Sequence, residues 1–302
     1  MKTVQVLLSA YNGAKYIKQQ IDSVFAQQQV EVHCLVRDDG SNDETLSVIN
    51  DCRGVYQNLE IIQGENIGYG SSFLELIKES SDFDYYAFAD QDDVWQPLKL
   101  ISAIEMLAKE GDAKANMYFS NCTVVNDRLE TIRMLHLHKN HIPNHKKTAL
   151  VQGFVHGCTM VFNNLSKELV LKHKPSQKYA HDFWIPLLHV FFGNIIYDFE
   201  SHILYRQHNQ NVFGGKRSVY QLIKIKLSFL THSENYYLNL ANDLINGYKE
   251  LMTDDVLLQL SDIADYKKSL NKRIKLIFDK KIRRNTLRGT VFLKILILTS
   301  KF

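Results

Sequence analysis

The stretch YYAFADQDDVW, residues 85–95, passes from aromatic and apolar residues straight into three carboxylates, Asp90, Asp92 and Asp93. Crowded acids repel one another and cost stability unless a cation or a tight turn accounts for them. Carboxylate oxygens are natural ligands for Mg2+ or Mn2+, and an ion held that way stabilises charge developing on a phosphate leaving group. A D-x-D alone is weak, because a chain this rich in Asp yields about one by chance. Its setting has to decide.

That setting is an alternation of strand and helix signals. Residues 3–9 (TVQVLLS), 30–37 (VEVHCLVR), 59–63 (LEIIQ) and 85–89 (YYAFA) read as strands. Helical patterns follow over 16 to about 26, from a cap at Ser41 or Asn42, over 71–78, and from Pro97 to near Ala108. Such βαβα order implies an α/β fold with a mainly parallel sheet and helices on both faces. Ligands of open sheets of this kind bind beyond the carboxyl ends of the strands. The polar clusters at 9–12, 38–41, 66–68 and 90–93 all fall there. The coincidence turns the D-x-D from a weak signal into a strong one.

Residues 117–215 mix short strands (MYFSN, TMVFN, NIIYDF) with helices near 166–173 and 182–192, and from Val219 the pattern is helical. We therefore expect one domain over 1–215 in two halves, 1–100 and 101–215, and a basic helical region over 216–302. The charge is divided in the same way. From Lys216 onward seventeen Lys/Arg face eight acids, about +9, against about −6 upstream.

The four cysteines, Cys34, Cys52, Cys122 and Cys158, form no C-x-x-C pair, which suits reduced thiols in the cytoplasm and argues against a zinc site. The amino terminus reads as a strand and not as a signal peptide, and no apolar run reaches the roughly 18–20 residues of a membrane span. A cytoplasmic protein is expected, with no call for a nucleic-acid partner.

The motifs SAYNG, VRDDGSNDET, ENIGYG, ADQDDVWQPLKL, HDFW and YRQHNQN, in this order over roughly residues 3–212, resemble the inverting family 2 glycosyltransferases of GT-A fold. The D-Q-D-D-V-W-x-P-x-K-L run with a later Y-R-Q-H-x-x-N is most similar to their bacterial rhamnosyltransferase-like branch, which builds surface polysaccharides. The resemblance implies metal-dependent transfer of a hexose or deoxyhexose from a UDP- or dTDP-sugar onto a growing glycan. It makes Asp92 the ligand of Mg2+ or Mn2+ and puts Asp90 on the donor ribose or the metal shell, with Asp93 supporting the loop. Ser9 and Asn12 belong to the first donor loop, Tyr11 stacks on the nucleobase, and Asp39 reads its imide edge. Asn66 and Gly68 let the backbone approach the donor, and Gly157 and Thr159 line the acceptor side. Asp182 is the base that takes the acceptor proton, with His181 as a neighbour that tunes it; Asp182 also suits the N-cap of its helix. Arg206 and His208, two apart and so on one face of a strand, would neutralise the leaving group or complete the metal shell.

Each assignment has a plainer counterpart: an acidic turn, a core tyrosine, a β-turn at DDGS, surface pairing of Arg206. Two rival enzymes fit less well. A haloacid-dehalogenase-type phosphatase shares D-x-D-x-[TV] but needs a later acidic pair that GDAKAN does not supply. A sugar-1-phosphate nucleotidylyltransferase needs a Gly-rich basic loop that SAYNGAKY is not. A non-catalytic assembly subunit would keep the fold without the acids. In the tail, KKSLNKRIKLIFDKKIRR places Leu270, Ile274, Ile277 and Phe278 on one helical face among bases, ahead of the apolar TVFLKILIL. That suits peripheral contact with the inner face of the membrane and a lipid-linked acceptor, or else a homo-oligomer contact.

Overall fold

The computed structural model describes residues 1–136, 142–208 and 235–302. The chain folds as two compact units; the first comprises Met1–Ile142, Val155–Leu171 and Lys178–Asn211. Its sheet opens with four parallel strands, β1 (Lys2–Ala10), β2 (Val30–Asp38), β3 (Leu59–Gln63) and β4 (Tyr85–Asp90), in the order β3-β2-β1-β4. Three helices connect them: α1 (Ile17–Phe25), α2 (Thr45–Val55) and α3 (Tyr69–Glu79).

The parallel half is buried on both sides, as the near-continuous apolar strands require. Val4, Val6, Leu8 and Ala10 of β1 pack with Ile17, Ile21 and Val24 of α1, whose i, i+4, i+7 spacing makes one apolar stripe. On α3, Phe73 turns its ring edge to Phe88 of β4, 5.1 Å away between centroids.

Beyond β4 the sheet becomes mixed, and the expected mainly parallel pattern ends. The remaining strands are β5 (Val94–Trp95), β6 (Asn116–Val125), β7 (Thr131–Met134), β8 (Val161–Asn163) and β9 (Asn194–Arg206). β8 runs antiparallel to β4 and β6, β9 is parallel to β6, and β5 pairs antiparallel with the end of β9. This last pairing sets the site, because it brings Asp92 and Asp93, just before β5, to the carboxyl end of β9. Helices α4 (Lys99–Lys109), α6 (Asn164–Leu171) and α7 (His181–Phe192) belong to this unit, whereas α5 (Lys146–Ala149) belongs to the second.

Three helix starts differ from expectation. α2 begins at Thr45, whose N–H donates to Asp43 Oδ1 at 3.0 Å; Ser41 and Asn42 bond elsewhere and cap nothing. Pro97 lies in the turn before α4, not in its first turn. Ala180 occupies the cap position of α7, and Asp182 lies in the first turn, where the helix dipole favours an acid.

The second unit gathers Pro143–Phe154, Lys172–Gln177 and Val212–Phe302. Two short segments expected in the 101–215 half thus cluster with the C-terminal helices; the expected 215/216 boundary lies outside the described residues. Among the described residues its helices are α5, α8 (Tyr236–Tyr248), α9 (Asp254–Ala264), α10 (Leu270–Phe278) and α11 (Leu287–Leu298). Buried Leu240, Leu244, Leu260, Ile263, Leu293, Leu296 and Ile297 form its interior. Lys147 and Asp279 pair at 2.7 Å, and Arg284 donates to the Val151 carbonyl and the Tyr237 hydroxyl.

Candidate active site

Register brings the four polar clusters together. Ser9 sits beside Arg37 on one side and Asp90 on the other, so the first, second and fourth strands end level with one another. Ser9 Oγ meets Ser72 Oγ at 2.6 Å. Asn12, in the left-handed region at φ 50°, donates its N–H to the Ser41 hydroxyl oxygen, and its side-chain Oδ1 accepts the Asn42 N–H. Asn12 therefore ties the first donor loop to the second. Ser41 also bonds Asp38 through both its N–H and its hydroxyl.

Tyr11 is 42% exposed, with its backbone held from both sides by Gln91, whose Oε1 accepts the Tyr11 N–H at 2.7 Å and whose Nε2 donates to the Tyr11 carbonyl at 3.0 Å. The ring projects from a fixed backbone, which suits stacking on a planar base. Gly13 leaves the room that the Gln91 side chain fills.

Asp39 is placed differently from its expected role. Its carboxylate is buried against Arg37 and accepts the N–H groups of Ile67 and Gly68 at 3.0 and 2.9 Å. It shapes the 66–68 loop, leaving Asn66 exposed and Gly68 at φ 85°, a conformation that favours glycine. Arg37, Gln91 and Ser72 carry parts of the site that the motifs did not single out. Arg37 is the one with a readable signal, a lone cation in the buried run VEVHCLVR.

At the acidic loop the three carboxylates have three environments. Asp93 is fully buried, and its Oδ1 accepts the Arg206 N–H at 3.0 Å. Burial first, then Asp92 and Asp90, push its carboxyl well above the usual range. Beneath it Lys99 is also buried, its Nζ 3.8 Å from the Trp95 ring centroid, and burial lowers it to about 7. Asp90 is raised to about 7 by burial, with Asp92 and then Asp182 adding their charge. Asp92 Oδ2 accepts from Nε2 of His208 at 2.8 Å.

Arg206 is held by partners within the protein. Its Nε donates to the Asp92 carbonyl at 2.7 Å, and its two terminal nitrogens donate to the Asp127 carbonyl and Gln19 Oε1 at 2.6 Å each. Its guanidinium and the His208 ring both lie against Tyr16, at 4.7 and 4.9 Å, and the Tyr16 hydroxyl donates to Asp127 at 2.6 Å. Arg206 closes β9 and braces the loop that carries Asp92. His208 follows the strand and does not share its face. Residues 209–211 of the last motif lie outside the described residues.

Asp182 is largely buried, and that burial raises its carboxyl to about 6. Tyr69 is raised to about 12, by burial first and then by the charges of Asp182 and Asp90, and the start of α7 lies against the start of α3, where a Cβ on Gly70 would come 3.2 Å from Ala180 Cα. His181 instead points into the core among Phe73, Phe88 and Tyr69, and burial lowers it to about 3. Neither ring nitrogen has a hydrogen-bond partner, so His181 is a neutral packing group. Gly157 is buried, and a Cβ there would strike the His181 ring. Thr159 is buried too, its hydroxyl on the His156 carbonyl at 2.7 Å.

Two groups of residues are candidates for holding a divalent ion. Asp90, Asp93 and Cys158 offer atoms within 4.8 Å of one another. However, burial holds the Cys158 thiol protonated well above its ordinary range, and a neutral thiol beside Lys99 is a poor ligand for a hard cation. Asp92 and His208, with Asp90 beside them, fit Mg2+ or Mn2+ better: carboxylate and imidazole donors, and surplus negative charge that a cation relieves. A separate cavity of about 440 Å3, lined by Lys2, Asp82, Asp84 and Asn163, lies at the amino-terminal ends of β1 and β4, the end opposite the one where such sheets bind ligands.

Comparison with known proteins agrees with this geometry. Residues 5–170 match glycosyl transferase family 2. The dTDP-rhamnosyl transferase RfbG of Shigella flexneri is 34% identical over 119 residues, 38% of this chain and 40% of that protein. An uncharacterized glycosyltransferase of Rickettsia typhi is 25% identical over 211 residues, 68% of this chain and 64% of that protein. The chain thus spans less than two thirds of the length of these relatives. Among solved structures, S. aureus TarS 1-349 superposes with a TM-score of 0.58 at 15% identity, covering 98% of this chain and 81% of that one. A Pyrobaculum calidifontis mannosyltransferase, PcManGT, solved with GDP-Man and Mn2+, gives 0.52 at 16% identity, covering 99% and 88%. The family model covers more than half of the chain, and the chain belongs to glycosyl transferase family 2.

Proposed function

We propose that this chain is an inverting, metal-dependent glycosyltransferase that moves a hexose or deoxyhexose from a UDP- or dTDP-sugar onto a growing glycan of the cell surface. The observation that carries the reading is the position of the start of α7, which bears Asp182: it lies against the start of α3, where a Cβ on Gly70 would come 3.2 Å from Ala180 Cα, and burial raises the Asp182 carboxyl to about 6. At neutral pH such a group is mostly ionised yet basic enough to accept a proton, as a general base must. In the transfer, Asp182 takes the acceptor hydroxyl proton as the oxygen attacks the anomeric carbon. The bond from that carbon to the diphosphate breaks, and the nucleoside diphosphate leaves with the electron pair.

Asp92, His208 and Asp90 would hold the divalent ion, Mg2+ or Mn2+, whose contribution when bound is to stabilise the negative charge of the leaving diphosphate. Tyr11 stacks on the nucleobase, Ser9, Asn12, Asn66 and Gly68 shape the donor cleft, Asp39 and Arg37 hold its rim, and Arg206 positions the metal loop. The Shigella relative's dTDP-rhamnosyl activity favours a deoxyhexose donor. A lipid-linked sugar is the acceptor we favour, which places the enzyme in the cytoplasm at the inner face of the membrane. Residues 1–215 form the catalytic domain in this reading, with 216–302 as the region that meets the membrane or a second copy.

The test is a panel of nucleotide sugars scored by thermal shift with and without Mn2+, followed by product analysis with the stabilising donor. A Mn2+-dependent shift with one UDP- or dTDP-sugar, and an inverted linkage in the product, is the expected result. Stabilisation by none of them, or a retained anomer, would overturn the reading.

A further inference from the structure

We propose that α10, α11 and the connection between them form a docking surface for an anionic lipid bilayer. The purpose of such a surface rests on the functional reading above, but its existence does not. Leu270, Ile274 and Phe278 recur every fourth residue along α10 and are 43–78% exposed, while Leu276 on the other side is buried. Ile277, expected on the same apolar face, is only partly buried. α11 repeats the arrangement: Leu287, Val291, Ile295 and Leu298 are 41–81% exposed, and Leu293, Leu296 and Ile297 turn inward. A surface helix ordinarily buries its apolar stripe and shows water a polar one. α10 buries only Leu276 and α11 only Leu293, Leu296 and Ile297, and each leaves an apolar stripe in solvent that needs a partner.

Charge identifies the partner. Residues 267–302 hold twelve Lys/Arg and a single acid, Asp279, which is already paired with Lys147. Phe278 and Leu287, the two most exposed apolar residues of this face, bracket the connection, and Lys280, Lys281, Arg283 and Arg288 are exposed around them. A second copy would bring the same dense positive charge against itself, which opposes association. An anionic leaflet accepts both features at once: lysines and arginines settle among the headgroups while the apolar side chains enter the acyl boundary. The helices, nine and twelve residues long, lie on such a surface and are too short to cross it. Among the described residues no helix is long and apolar enough to span a membrane.

The experiment uses the full chain and sedimentation with vesicles of phosphatidylcholine alone or phosphatidylcholine with phosphatidylglycerol. We expect binding to the anionic vesicles at low salt, at least about tenfold weaker binding to the neutral ones, and release as NaCl rises from roughly 50 to 500 mM. Phe278→Ser with Leu287→Ser, and separately Lys280→Gln with Lys281→Gln, Arg283→Gln and Arg288→Gln, should each lower the anionic partition about tenfold or more. All these positions are exposed, so the melting temperature should hold, and nucleotide-sugar binding measured without vesicles should be unchanged. Wild-type protein that ignores anionic vesicles, binds neutral ones equally, or is unaffected by both variant sets overturns the proposal. So does a concentration-dependent dimer that the two serines dissolve while vesicles are ignored. Protein that binds anionic vesicles but no nucleotide sugar upholds the docking surface and sinks the transferase reading instead.

Discussion

His208 Nε2 lies 2.8 Å from an Asp92 carboxylate oxygen, although 116 residues separate the two in sequence. The contact exists because β5 pairs with the end of β9, and because Arg206, one residue before Gln207, anchors the Asp92 carbonyl. In the proposed function this carboxylate and imidazole would serve together as ligands of the divalent ion. Asp92→Asn or His208→Ala should each weaken Mn2+ binding at least about tenfold, read directly by electron paramagnetic resonance of free Mn2+. Unchanged titrations for both variants would move the ion elsewhere.

Asp182 links activity to pH. Its carboxyl, raised by burial to about 6, must be ionised to act as a base, so transfer should fall as pH drops through about 6. Asp182→Asn should lose roughly 10²–10⁴-fold in kcat with donor affinity near normal, and the remaining rate should lack the acid limb.

The same shift has an opposite consequence for stability. A folded-state carboxyl raised above its unfolded value binds its proton more tightly when folded, so its contribution is present at low pH and is lost as pH rises through about 6. Asp182→Asn should therefore melt higher than wild type at pH 8, by something on the order of 1–2 kcal/mol, and show little difference at pH 4. A variant both inactive and less stable at pH 8 would count against the burial of this charge.

Tyr11 is a test of the donor cleft that does not touch the metal. Replacing its exposed ring, Tyr11→Ala, should raise the donor KM by about 3–10-fold, while Tyr11→Phe keeps most of the affinity. Equal losses in both variants would point to the hydroxyl and away from stacking.

Gly157 separates packing from acceptor recognition. Because a Cβ there runs into the buried His181 ring, Gly157→Ala should cost about 1–3 kcal/mol in a urea melt. Acceptor preference should not change; a changed preference at full stability would restore Gly157 to the pocket.

Much of this protein is determined by sequence alone. Apolar runs ending in polar clusters at 9–12, 38–41, 66–68 and 90–93 already imply a parallel sheet with its ligand edge, because strand period and buried faces are local properties. The acids Asp92 and Asp182 are likewise visible from their motifs. What only the tertiary structure decided is how each charged side chain is used. Arg206 and Asp39 read as ligand contacts, yet their partners are Asp92 and Asp127 carbonyls in one case, and Arg37, Ile67 and Gly68 in the other. Gly157 and His181 read as site residues, but together they pack the core. The strand pairs β5–β9 and β6–β9 are likewise absent from any local pattern. A buried polar group must be satisfied by whatever the fold brings within about 3 Å. Segments far apart in sequence supply those partners, so residue type and spacing reveal that a charge is present without revealing what it holds.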